Sequence, residues 1–202
     1  MRRVLVTGFE PFAGSEVNPS QLLVEALADD PPAGVALTTA VLPVAYARAG
    51  QELLAAVRVS EPELVVCFGQ ADGRAVISVE RFALNLDEPR SADNDGLVSA
   101  DPIDAEGPAA YRSTLPVDQI VAALRREGIP AAASRDPGGF LCNHVFYRLQ
   151  ALLERERPQV RSGFVHVPLL PEQTLDSGGP SMPLEMLVRA ARVAVTIERP
   201  AR

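Results

Sequence analysis

A chain of 202 residues, 47% hydrophobic and 22% charged, has the composition of a globular protein and the length to bury ~70% of its unfolded surface in one domain spanning 1–202. All 19 basic residues are Arg, which excludes Schiff-base and P-loop lysine chemistry, and two His with two Cys are too few for a three-histidine zinc site, so no metal and no cofactor is expected. The 26 acids leave a charge of −7, without the basic footprint of a nucleic-acid binder.

Residues 2–7 form a short apolar run ended by Gly8, and Glu10 with Pro11 interrupts it before a leader or a membrane span could develop. A cytoplasmic location with both thiols reduced is therefore expected. Asn18-Pro19-Ser20-Gln21 offers a helix cap with Pro at the first helical position, predicting a helix over about 19–28. A β-branched apolar run covers 35–44, helical spacing covers 46–58, and 63–68 is the next buried strand. Residues 74–85 alternate, with Ala75, Ile77 and Val79 on one face and Ser78 and Glu80 on the other, predicting one long half-covered strand. Residues 86–111 are rich in Asp, Pro and Gly and have no period, predicting a long surface excursion of the kind that carries function. Beyond it come an amphipathic helix over 117–126, a weak strand over 129–134, a helical stripe through Val145, Leu149, Leu152 and Leu153, a strand over 163–167 and a helix over 184–196. This alternation predicts a three-layer α/β/α sandwich around a mostly parallel, mixed, twisted sheet.

In such a sheet the ligand crevice lies beyond the carboxyl ends of the strands. The loop from Gly8 to Gly14 lies there, but it inserts Phe9, Glu10 and Phe12 where a phosphate would need bare glycines, so it suits the wall of a flat, neutral ligand. Gly138-Gly139 and the stripe that follows put Cys142 at a helix N-terminus, where the dipole should depress its thiol pKa. Cys67, inside an apolar strand, reads as core. His166, at a strand end, is a candidate base. His144, two residues from Cys142 on the same helix, points about 200° away from it and reads as a surface residue near Arg148. Glu80 is placed to hold the imidazole of a base and fix its tautomer; the other reading of the same residue is a solvated strand glutamate with no such role.

The ordered set GFEPF with Asn18-Pro19-Ser20, Glu80-Arg81 with Asn85, Asp93-Asn94, Gly107-Pro108, Cys142-Asn143 and HVPxLPEQ from His166 to Gln173 resembles the type I pyroglutamyl peptidases, a family of cysteine peptidases. The resemblance implies a catalytic triad of Glu80, Cys142 and His166, with Arg90 and the backbone near Gln70 and Cys142 supporting the oxyanion. It also implies a pyroglutamate pocket at Phe9, Phe12, Asn18, Gln70 and Leu141. The implied substrates are peptides with an N-terminal pyroglutamate, and relatives assemble as dimers or tetramers, so a homodimer or homotetramer with no nucleic-acid or membrane partner is expected. The chain departs from the family at Ala13, where a glycine is usual, at Ser91, which replaces an apolar residue, at Pro137 and at Phe140. Two other readings remain at this point: a nucleotide- or nucleoside-binding α/β domain using the Gly8–Gly14 loop, and a catalytically silent α/β binding module.

Overall fold

The computed structural model describes residues 1–99 and 101–197. In chain order its elements are β1 (Arg2–Phe9), α1 (Pro19–Asp29), β2 (Val35–Leu42), α2 (Tyr46–Ser60), β3 (Leu64–Gln70), β4 (Ile77–Glu80), β5 (Phe82–Leu84), β6 (Ala110–Arg112), α3 (Val117–Arg126), β7 (Ala131–Ser134), α4 (Leu141–Glu156), β8 (Arg161–Val167), a single 3-10 turn (Pro171–Gln173) and α5 (Leu184–Thr196). Six strands form the main sheet in the order β2-β1-β3-β8-β4-β7. Every pairing is parallel except that of β4 with β8. The inner strands β1 and β3 are buried over residues 4–9 and 64–69 and mostly apolar there, as strands covered on both faces must be.

Two apolar layers cover the faces. One joins Leu23, Leu27, Ile120, Leu124, Leu187 and Ala191 from α1, α3 and α5 to the sheet. The other packs Leu53 and Val57 of α2 and Phe146 and Leu149 of α4 over Leu5, Val65 and Phe164. The α/β/α sandwich and its mixed sheet are therefore as expected.

The alternating stretch 74–85 is not one strand. Its regular pairing breaks at Arg81, where the chain leaves β7 through Arg81 N–H to Ser134 O and accepts Ser113 N–H at Arg81 O. After that break β5 pairs antiparallel with β6 in a separate two-stranded ribbon. The period-2 pattern survives the break because both halves are extended, so alternation alone cannot reveal the change of partner. The aperiodic stretch ends two residues earlier than expected, since Ala110 and Tyr111 belong to β6. Strands β1, β3 and β8 run longer than predicted, and β3 ends at Gln70 on the rim of the crevice.

Candidate active site

Strand register builds the site. In β8 and β3, His166 pairs with Gly69, and Phe164 with Cys67. In β8 and β4, His166 pairs with Ser78, so Glu80, two residues along the same face, is its diagonal neighbour. A glutamate spans that diagonal. His166 Nδ1 lies 2.8 Å from Glu80 Oε1, with Glu80 wholly buried. A carboxylate accepts only, so Nδ1 carries the proton and, in the neutral ring, Nε2 is left as an acceptor.

The nucleophile candidate comes from the other layer. Helix α4 begins at Leu141 after Phe140, with no side chain capping it. The first-turn N–H groups are thus free to meet an anion. Cys142 is the second helical residue, and its sulfur sits over Gly69: a Cβ placed there would be 2.6 Å from Cys142 Sγ and 2.7 Å from Phe164 Cζ. Because Gly69 is the direct neighbour of His166 across parallel strands ~4.8 Å apart, the thiol and the imidazole share one end of the sheet. Both line a cavity of about 600 Å³. No hydrogen bond joins them among the described residues, a looseness common in unliganded sites.

Cys142 is partly exposed and Cys67 is buried. The expected low thiol pKa is not what the structure gives. Burial first, and then the Glu80 charge, push the Cys142 thiol up to about 12, with Arg74 pulling the other way. Burial pushes Cys67 up to about 12 as well, so access and position distinguish the two thiols, not acidity. Burial lowers the His166 pKa below its ordinary value against the raising effect of Glu80. Both shifts run toward the neutral forms, thiol and imidazole.

The same cavity is lined by Phe9, Phe12, Asn18, Gln70, Arg90 and Leu141. Phe9 also packs on Phe164, and Phe12 on Phe140, so the apolar wall is continuous with the core. Asn18 caps α1 through Ser20 N–H and donates to Glu10 O. Glu10 does not face an anion site; its carboxylate accepts from Val44 N–H and Asn94 Nδ2 and ties two loops together. The Gly8–Gly14 loop therefore lacks the character of a phosphate cradle. Ala13 takes φ 53°, the left-handed region that favours glycine, and Ser91 lines the cavity.

His144 is not a surface residue. It is 6% exposed, its Nδ1 lies 2.7 Å from Asp87 Oδ2, and Tyr46 meets its ring edge-on. Its neighbour Asn143 donates to Leu84 O and Leu86 O and accepts from Leu84 N–H. One turn of α4 thus presents the thiol and straps down the loop that carries Arg90. Sequence reasoning missed Asp87, Asn143 as a strap, and Arg74, whose Nη1 is 2.7 Å from the same Glu80 oxygen that holds His166. None has a local signal, because each partner is remote in sequence except Arg74, six residues from Glu80 across a turn.

A family model described as pyroglutamyl peptidase matches residues 2–199. The pyrrolidone-carboxylate peptidase of Bacillus licheniformis is 44% identical over 197 residues, covering 97% of this chain and 92% of the relative. That of Streptomyces coelicolor is 48% identical over 184 residues, covering 91% and 85%. The crystal structure of Bacillus amyloliquefaciens pyroglutamyl peptidase I superimposes with a TM-score of 0.93 at 39% identity, covering 96% of this chain and 95% of that one.

Proposed function

Because this chain belongs to the pyroglutamyl peptidase family of cysteine peptidases, we propose that Cys142, His166 and Glu80 are the nucleophile, base and orienting carboxylate with which it removes an N-terminal pyroglutamyl residue from peptides. The observation that carries this reading is the His166–Glu80 pair at 2.8 Å, opening with Cys142 on one cavity. With a thiol pushed up to about 12, the nucleophile is made at the moment of attack. His166 Nε2 takes the proton as Cys142 Sγ closes on the pyroglutamyl carbonyl, and Glu80 stabilises the imidazolium. The oxyanion meets the uncapped N–H groups of α4, with Arg90 beside it. The tetrahedral adduct expels the amine, which receives the His166 proton, leaving a thioester. Water then gives a proton to His166 and its hydroxide to the acyl carbon, releasing pyroglutamate and returning the thiol.

Pyroglutamate carries a neutral lactam and no α-ammonium. The phenyl wall of Phe9 and Phe12, with Leu141 and a few amide groups at Asn18 and Gln70, supports that choice of ligand. On the same reading, residues 1–202 act as one catalytic domain, in the cytoplasm, as a homodimer or homotetramer, with no nucleic-acid or membrane partner. In support, no helix among the described residues is long and apolar enough to cross a membrane, and the formal charge is −7. The test is Cys142→Ala, followed by release of a chromogenic amine from a pyroglutamyl amide. Loss of turnover is expected, and retained turnover would overturn the triad.

A further inference from the structure

The turn that follows β8 places Gln173 against the rim of the cavity, and none of the chemistry above uses it. Its two amide ends are assigned by groups whose roles are fixed. Gln173 Oε1 accepts the backbone N–H of Leu170 at 2.9 Å, and a backbone N–H can only donate. Gln173 Nε2 donates to the backbone O of Val17 at 3.3 Å and to Ser15 Oγ at 3.3 Å, and a carbonyl can only accept. The carboxamide therefore has one orientation, set by the main chain and not by a choice of network.

That orientation passes to Gln70. The third contact of Gln173 Nε2 is Gln70 Oε1, at 3.2 Å. Gln70 ends β3, is only partly buried and lines the cavity. With its oxygen held by a donor, the other branch of the same planar amide, Nε2, has no partner within the protein among the described residues. A residue of the cavity lining is thus left with an unshared N–H donor. The nearby Asn18 amide is fixed in the same sense, its Oδ1 taken by Ser20 and its Nδ2 shared with Glu10 O. A rim of donors suits a ligand whose ring presents a carbonyl.

We infer that Gln173 is a positioning residue for substrate selection: it locks the Gln70 carboxamide so that a donor, and not an acceptor, faces the ring carbonyl of the substrate. This inference rests on the pyroglutamyl reading of the cavity. It concerns affinity and not the bond-making step, since among the described residues Gln173 makes no hydrogen bond to Cys142 or His166.

Gln173→Glu replaces the donor with a second acceptor. Gln70 then turns its Nε2 toward Glu and presents Oε1 to the cavity, where it repels a ring carbonyl. For a pyroglutamyl amide, KM should rise roughly tenfold or more, with kcat within about threefold of the parent. Binding without turnover is read by calorimetry with two bare rings: 2-pyrrolidone, which has both C=O and N–H, and cyclopentanone, which has the carbonyl alone. Cyclopentanone should lose more affinity than 2-pyrrolidone, whose N–H can donate to the turned Oε1. In a Gln70→Ala background, Gln173→Glu should change KM and both ring affinities no further. Gln173→Leu, which removes the donor without adding an acceptor, should fall between parent and Gln173→Glu, and it serves if the glutamate variant does not fold. Equal weakening of the two rings, the same KM effect in the Gln70→Ala background, or a fall in kcat at unchanged KM would each overturn the role. Failure of the pyroglutamyl reading itself shows differently, as a parent protein that binds neither ring and releases no amine.

Discussion

The seating of Cys142 on the bare backbone of Gly69 makes Gly69→Ala the sharpest test of how the site is assembled. The added Cβ would stand 2.6 Å from Cys142 Sγ and 2.7 Å from Phe164 Cζ. Unstrained contacts need about 3.5–4.0 Å, so both neighbours must retreat by about 1 Å. Phe164 is fully buried between Phe9 and Phe146 and has little room. The sulfur, on the first turn of a helix facing a cavity, is the partner that gives way. A displacement of about 1 Å at a reacting atom costs roughly 10²-fold in rate, and overpacking of this kind costs about 1–3 kcal/mol, or roughly 2–12 °C in Tm for a chain of this size. Amine release from a pyroglutamyl amide and thermal melting measure the two effects. In a Cys142→Ala background the sulfur is gone, so the loss of Tm should shrink. A Gly69→Ala enzyme within about threefold of the parent in kcat/KM would refute the claim that a working Cys142 is held in place by this close approach.

Three further outcomes are expected. Iodoacetamide should label Cys142 before Cys67, because only Cys142 is partly exposed, and its rate should keep climbing above pH 9 as the thiol titrates toward about 12; a plateau near neutral pH would contradict the burial argument. Glu80→Gln should lower kcat/KM by roughly 10²–10⁴-fold as His166 loses its raising partner, yet move the labelling profile of Cys142 to lower pH, because the Glu80 charge holds that thiol up; movement to higher pH would break the electrostatic account. Burial would raise the Asp93 carboxyl, but the N–H groups of Tyr46, Leu97 and Asp95 outweigh it and hold it below the usual range. A depressed folded-state pKa contributes stability above the unfolded value, about 3.9, that is lost as pH falls through the folded value. Asp93→Asn should therefore reduce Tm more at pH 7 than at pH 3, and an equal loss at both would count against it.

Much of this was legible in the sequence. The helix over 184–196 and the amphipathic one over 117–126 were recovered residue for residue, because each carries an unbroken apolar stripe. His166 could be named because it stands at a strand end, and Glu80 because alternation puts it on the polar face with Ser78; the register then brought them together. What stayed hidden depended on distant partners. The burial of His144 follows from Asp87, 57 positions away, and helical geometry alone left the residue pointing at solvent. The thiol pKa went the wrong way for the same reason: the helix N-terminus is local and visible, whereas burial against the sheet and the Glu80 charge belong to the folded molecule. Gln173 sat in a motif with no role until its contact with Gln70, 103 residues away, gave it one.

The first turn of α4 does three jobs with three consecutive side chains: Cys142 faces the cavity, Asn143 grips Leu84 and Leu86, and His144 grips Asp87. The Cys142 sulfur and the loop wall are thus mounted on one bracket. Loop exchange between relatives, attempted to alter which peptides are cleaved, has a natural seam after Asp87: grafts that begin beyond it leave the bracket whole, whereas grafts that begin before it move Cys142 along with the wall.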